Sequence, residues 1–302
     1  MASSAHFAAS KLFSVKGLTA VVTGGGTGIG LMATQALAAN GARVYIVGRR
    51  QEALDNVVKT YGPSVEGEII ALPGDVTKKD DLKRLAAEIK KREGGLHILV
   101  NNAGIAGPVT KMDQNKPIED LTEEMFSQEQ ADWDAVFRTN VQNIYFTTLA
   151  FLPLLKAFTF GGDAAGRNIY EKYQTGVINT TSISGLIKKA QNHFAYNTSK
   201  GAANHLQRLL ATEFAYTGVR FNSIAPGVFP SEMTGQESDE NNKVNLEGQF
   251  DPKSLNIPAD RAGAEEEMGG TFVYLSSRAG QYTNGVILPV DGGCLSTNPS
   301  AY

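Results

Sequence analysis

Short apolar runs alternate along the chain with longer stretches whose apolar positions recur at helical spacing. The short runs predict strands over 18–22, 44–47, 69–72, 96–100, 176–179, 219–224 and 286–290. The longer stretches predict helices over 29–39, 82–92, 133–155, 196–216 and 265–276. In 82–92, Leu82, Leu85, Ala86 and Ile89 share one helical face. Asn40 and Gly41 cap the first helix, and Pro153 falls near the end of the third. Strands alternating with helices need crossover connections, and crossovers build a parallel sheet covered by helices on both faces. The predicted fold class is therefore α/β, a doubly wound parallel sheet of about seven strands in one domain. The expected plan is an N-terminal arm over 1–14, a main domain over 15–295 and a tail over 296–302. Two polar stretches, 159–175 and 230–258, read as loop insertions, the second within a longer loop over about 228–262.

Composition narrows the function classes. Of 302 residues, 42% are apolar and 20% charged, which is globular and argues against disorder. The net charge of −3 gives no general pull toward nucleic acid or anionic lipid, so neither is an expected partner. The single cysteine, Cys294, excludes an intrachain disulfide. The four histidines (His6, His97, His193, His205) form no metal-binding pair, so no metal is expected. No apolar run is long enough to span a bilayer. The first fourteen residues carry one Lys or Arg, Lys11, which suits neither a secretory signal nor a mitochondrial presequence. The expected compartment is the cytoplasm.

Glycine is in excess at 32 residues, and its placement is informative. Thr23-Gly24-Gly25-Gly26-Thr27-Gly28-Ile29-Gly30 joins the first strand to the first helix. Such a turn must be tight, must let backbone approach a phosphate, and must let helix pack against strand. The free N–H groups of the helix start then face a pyrophosphate. The second strand ends in Val47-Gly48-Arg49-Arg50, with no carboxylate to hold adenosine ribose hydroxyls. Two guanidiniums there offer paired donors to a 2′-phosphate, so the predicted cofactor is NADP(H). Thr27 stands where a basic residue would have strengthened that reading. Asp75, after the third strand, suits either an adenine contact or a helix cap.

Tyr196 and Lys200 lie one turn apart on a helical face. Ser182 follows the fifth strand at its C-terminal end, where open α/β sheets bind ligands. Asn140 interrupts an apolar helix, a costly place for an amide without partners. A free phenol has a pKa of about 10, too high for easy proton exchange near neutrality. An ammonium about 4 Å away is worth roughly 4 kcal/mol at an effective dielectric near 20. That would lower the Tyr196 pKa by roughly three, against an opposing effect of burial.

Together, the glycine turn, Asn101-Asn102-Ala103-Gly104, Asn140, Ser182, Tyr196-Asn197-Thr198-Ser199-Lys200 and Pro226-Gly227 resemble the short-chain dehydrogenase/reductase family. The resemblance covers about residues 15–295 and is to the compact branch with a Rossmann-type fold. Within it, the sequence is similar to 3-oxoacyl-(acyl-carrier-protein) reductases, and the stretch from Pro226 to Thr234 to those of the rhamnolipid type. The resemblance implies a catalytic tetrad of Asn140, Ser182, Tyr196 and Lys200. Asn140 would hold a water linking Lys200 to solvent, Ser182 would hold the substrate oxygen, and Lys200 would also bond the nicotinamide ribose. The expected cofactor set is Thr23, Gly24, Gly26, Thr27, Gly28, Ile29, Gly30, Arg49, Arg50, Asp75 and Val76. It continues with Asn102, Ala103, Gly104, Tyr196, Lys200, Pro226, Gly227, Val228, Ser231 and Met233.

Specificity in the family lies in loops past the strand ends, here with Ser184, His193 and Phe229 as substrate candidates. These loops mix apolar residues with few charges and suit a moderately apolar carbonyl or its alcohol. Lys188 and Lys189 offer charge to a carrier- or CoA-bound substrate. The leading expectation is NADPH-dependent reduction of a ketone, either a 3-oxoacyl thioester or a secondary-metabolite carbonyl. Oxidation of an alcohol with the same tetrad is an alternative, as is a non-enzymatic NADP(H) sensor on this fold. The family resemblance also implies a homotetramer or homodimer.

Overall fold

A computed structural model describes residues 4–159, 173–235, 238–246 and 248–301. Most of the expected insertion over 159–175 lies outside the described residues. Seven strands form the sheet: β1 (Thr19–Thr23), β2 (Arg43–Gly48), β3 (Glu68–Pro73), β4 (Ile98–Asn101), β5 (Gly176–Thr180), β6 (Arg220–Pro226) and β7 (Ile287–Val290). All neighbours pair in parallel, in the order β3-β2-β1-β4-β5-β6-β7. The order reverses direction between β1 and β4, and a crevice at such a switch point is where open sheets take ligands.

The alternation of side chains explains the two covered faces. Val22, Val44, Ile46, Val100 and Ile178 pack on one side. Val21, Tyr45, Val47, Leu99 and Val177 pack on the other. Every residue of β1, β5 and β6 is buried, as in strands covered on both faces, including the polar Asn179, Arg220, Asn222 and Ser223. The first face is covered by α2 (Gly28–Ala39) and α9 (Glu265–Ser276), with α3 (Gln51–Tyr61) beside them. The second is covered by α4 (Lys79–Glu93), α7 (Asn143–Phe158) and α8 (Phe194–Glu213). Between α2 and α9, a Cβ on Gly269 would stand 2.9 Å from the Ala36 Cβ, so the two helices meet closely.

Most expected strands and helices occur within a few residues of their read bounds, and the helix over 265–276 matches fully. The stretch read as one helix over 133–155 departs from the reading. It comprises α6 (Gln130–Phe137), a π turn at Arg138–Gln142 and then α7. Two further helices, α3 and α5 (Ile118–Phe126), were not anticipated, although in α5 the apolar Ile118, Leu121, Met125 and Phe126 recur at helical spacing. Near the N-terminus, α1 (Ala9–Leu12) is a short exposed turn. At the other end, α10 (Cys294–Thr297) leads to residues that pair back on the chain. The Lys188 amide donates to Pro299 O at 2.7 Å, and the Ala301 amide to Leu186 O at 2.7 Å. Among the described residues, no helix is long and apolar enough to cross a membrane.

Arg220, at the start of β6, is only 2% exposed and meets backbone carbonyls rather than acids. Its guanidinium donates to Leu275 O at 2.9 Å, Gly280 O at 3.0 Å and Thr283 O at 3.2 Å. It thereby ties the end of α9 and the turn before β7 to the sheet. Arg220→Ala orphans several buried carbonyls at once. We expect it to cost about 3 kcal/mol or more of unfolding free energy in urea titrations.

Candidate active site

The C-terminal ends of β1, β2, β4, β5 and β6 open into a cleft of about 730 Å³. The glycine turn forms one wall. Gly28 has φ +53°, a left-handed conformation that glycine adopts without penalty, and a Cβ there would press on Ser231 at 2.9 Å. A Cβ on Gly30 would stand 2.0 Å from Gly24 O, so only glycine lets α2 start so close to the turn. Thr27 precedes α2 but makes no side-chain cap, leaving the first-turn N–H groups without that partner. Small residues, uncapped amides and the exposed Arg49 on the same cleft suit a bound dinucleotide.

Ser182, Tyr196 and Lys200 line this same cleft together with Gly26, Asp75 and Gly104. Tyr196 and Lys200 project from the first turns of α8, with the Lys200 Nζ 5.6 Å from the Tyr196 ring centroid. Lys200 is 4% exposed, and its Nζ donates to Thr180 O at 2.9 Å. Ser182 follows β5, and its Oγ accepts from the Ser184 amide at 3.0 Å, which fixes the hydroxyl. Gly104 is also a close approach: a Cβ there would lie 3.7 Å from the Lys200 Nζ.

Asn140 does not line the cleft. It is fully buried beneath it, at the π turn. Its Oδ1 accepts from the Ile105 amide at 2.9 Å, and its Nδ2 donates to Ile105 O at 2.9 Å. Nδ2 also donates to Ser199 Oγ at 3.0 Å, and Ser199 Oγ donates to Tyr196 O at 2.7 Å. The amide thus fastens the loop after β4 to the turn that carries Tyr196 and Lys200.

The electrostatics depart from the simple charge-pair estimate. Burial raises the Tyr196 pKa, and a hydrogen bond from Ser182 only partly opposes it. Burial lowers the Lys200 pKa to about 8. The expected drop in the phenol's pKa is absent: desolvation outweighs the Ser182 hydrogen bond, and the Lys200 ammonium is engaged with Thr180 O.

Other anticipated residues fall into place unevenly. Thr23 works within the fold, with its Oγ1 accepting from the Asn102 amide at 2.9 Å and the Ala103 amide at 3.2 Å. The Asp75 carboxylate accepts from the Thr77 amide at 3.0 Å and from Thr77 Oγ1 at 2.7 Å, while it still lines the cleft. Burial acts to raise its pKa, but the Thr77 hydrogen bonds prevail and hold it below the usual carboxylate range. Gly30 packs behind the turn, and Val228 packs among core residues. Ile29, Arg50, Val76, Asn102, Ala103, Pro226, Gly227, Ser231 and Met233 all line the cleft. Phe229 touches it, but its ring is 2% exposed and packs into the core. Ser184 bonds Gln191 through its hydroxyl. The His193 ring stands edge-on to Tyr196 at 6.5 Å, and burial lowers its pKa. The sequence reading missed Thr180, Ser199 and Glu232. Ser199 had a usable signal, a small polar residue just before the lysine on a buried helical face.

Comparison with known proteins follows this geometry. The family model described as short chain dehydrogenase matches residues 18–242. The short-chain dehydrogenase/reductase PhomF of Diaporthe leptostromiformis is 40% identical over 295 residues, covering 97% of each chain. The rhamnolipids biosynthesis 3-oxoacyl-[acyl-carrier-protein] reductase of Pseudomonas aeruginosa is 32% identical, covering 93% of this chain and 97% of its own. The solved complex of Pseudomonas aeruginosa RhlG with NADP superposes with a TM-score of 0.75 at 31% identity. That match covers 94% of this chain and 98% of the other.

The Lys200 shift carries a sign. Its folded pKa is below its unfolded value, so the folded state binds fewer protons between about pH 8 and 10.5, and stability rises with pH there. The gain of wild type over Lys200→Met should be about 2 kcal/mol between roughly pH 7.5 and 9.5. Parallel denaturant titrations at the two pH values measure it.

Proposed function

The chain belongs to the short-chain dehydrogenase/reductase family, and from that premise we propose that it reduces a ketone to a secondary alcohol with NADPH. The observation that carries this reading is the shared cleft: Ser182, Tyr196 and Lys200 face the same space as the glycine turn and Arg49. When bound, a reduced nicotinamide supplies the hydride that no side chain can provide. The chain's own groups supply the rest. Ser182, oriented by the Ser184 amide, donates a hydrogen bond to the substrate oxygen as charge develops there. Tyr196 gives that oxygen its proton. Burial keeps the phenol protonated, so the unliganded site is set to donate. Lys200, whose pKa is about 8, holds a proton at neutral pH and can restore the phenol's. Asn140 acts by position, holding the turn beneath Tyr196.

NADPH is favoured over NADH by Arg49 and Arg50 on the cleft and by the NADP named in the RhlG complex. For the substrate, the reading takes a 3-oxoacyl thioester or a carbonyl of comparable polarity. The rhamnolipid reductase is named for the thioester chemistry. The proposal includes a cytoplasmic site of action and a homo-oligomer, with Tyr145 and Leu209 offering exposed apolar surface on α7 and α8.

A spectrophotometric screen of NADPH and NADH consumption over keto-thioesters, diketones and cyclic ketones tests the function. Consumption with none of these classes would sink the thioester and ketone reading. Tyr196→Phe should retain dinucleotide binding while turnover falls at least about a hundredfold. Near wild-type turnover in that variant would remove Tyr196 from the chemistry.

A further inference from the structure

One carboxylate stands on the cofactor wall where a phosphate acceptor would be served. Glu232, in the segment after β6, receives two hydrogen bonds from the Arg50 Nη2, at 2.9 and 3.1 Å. Ser238 Oγ donates to it at 2.8 Å. A guanidinium and a hydroxyl therefore converge on one anion. Thr27, Arg50 and Glu232 line both the main cleft and an adjoining recess of about 600 Å³. Asp239 lines that recess too, but its Oδ1 is taken up by the Asn241 and Lys243 amides at 2.8 Å each.

We propose that Glu232 is a built-in rival of the ribose 2′-phosphate for Arg50, and so tunes how strongly NADPH is preferred over NADH. The inference rests on the cofactor reading above and deepens it. Arg49, exposed on the same cleft, makes no ion pair with any described residue. Arg50 is the guanidinium already occupied. Its pair with Glu232 is partly exposed, at 63% and 34% of the two side chains, so solvent weakens it and an incoming dianion can displace it.

The pair is not what holds this segment in place. Asn242 Nδ2 donates to Gly26 O and Ala53 O at 2.9 Å each, and Asn56 Nδ2 donates to Asn242 Oδ1 at 2.8 Å. Tyr61 OH donates to Asn241 O at 2.7 Å. Removing the Glu232 charge therefore leaves the docking of the segment intact and isolates the electrostatic term.

The test is a binding titration by calorimetry, independent of turnover, with NADPH, NADH, 2′-AMP and 5′-AMP. Glu232→Gln should tighten NADPH and 2′-AMP about fivefold, the scale of freeing a guanidinium from a partly exposed ion pair. NADH and 5′-AMP should change less than about twofold. Glu232→Ser should repeat the pattern, and the gain should vanish when Arg50→Ala is combined with Glu232→Gln. Equal changes for all four ligands, or none for NADPH, would overturn the proposal. Failure of the cofactor reading looks different. Wild type would then hold NADH more tightly than NADPH, and Glu232→Gln would still shift the ratio toward the phosphorylated ligands.

Discussion

A single buried amide sets the register on which the candidate chemistry depends. Asn140 bonds both backbone groups of Ile105 and the hydroxyl of Ser199. In the interior, an amide with all its partners is firmly placed, whereas each orphaned group costs about 1–3 kcal/mol. Ser199 passes the constraint to the Tyr196 carbonyl. The loop after β4, the helix pair around the π turn and the start of α8 therefore behave as one body. A π turn is well suited to this, since one widened turn redirects a side chain without ending the helix.

Much of the sheet was legible because parallel strands are buried on both faces and leave continuous apolar runs, as in Val177 and Ile178. The glycine turn was legible because tight backbone approach leaves a compositional mark. The π turn was not, since a widened turn alters helical phase by little and Asn140 reads only as an isolated polar residue. Nor was α5 anticipated, short as it is and flanked by polar turns, although Ile118, Leu121, Met125 and Phe126 share a face. At the candidate site, Tyr196 and Lys200 stood out through the family resemblance, their spacing alone being common, whereas the acceptor Thr180 O did not, because backbone carbonyls have no sequence signature. Arg49 and Arg50 read as equivalent neighbours. Tertiary approach separates them, by bringing Glu232 to one and not the other.

Burial, rather than pairwise attraction, governs the two proton-bearing groups. It pushes the phenol of Tyr196 up and the ammonium of Lys200 down, so both neutral forms gain. The same competition recurs at Asp75, where hydrogen bonds from Thr77 reverse what burial alone would do. Burial thus decides the direction at Tyr196 and Lys200, and local donors decide it at Asp75.

The pairing of Pro299 and Ala301 with Leu186 and Lys188 has a bearing on how the protein is made. Those late residues brace the stretch that leads from Ser182 toward α8. A nascent chain still on the ribosome can assemble β1 to β5 and the glycine turn well before that brace has been translated. The dinucleotide half of the fold is thus available first, and the rim beside the serine is finished only once residues 299–301 have been made.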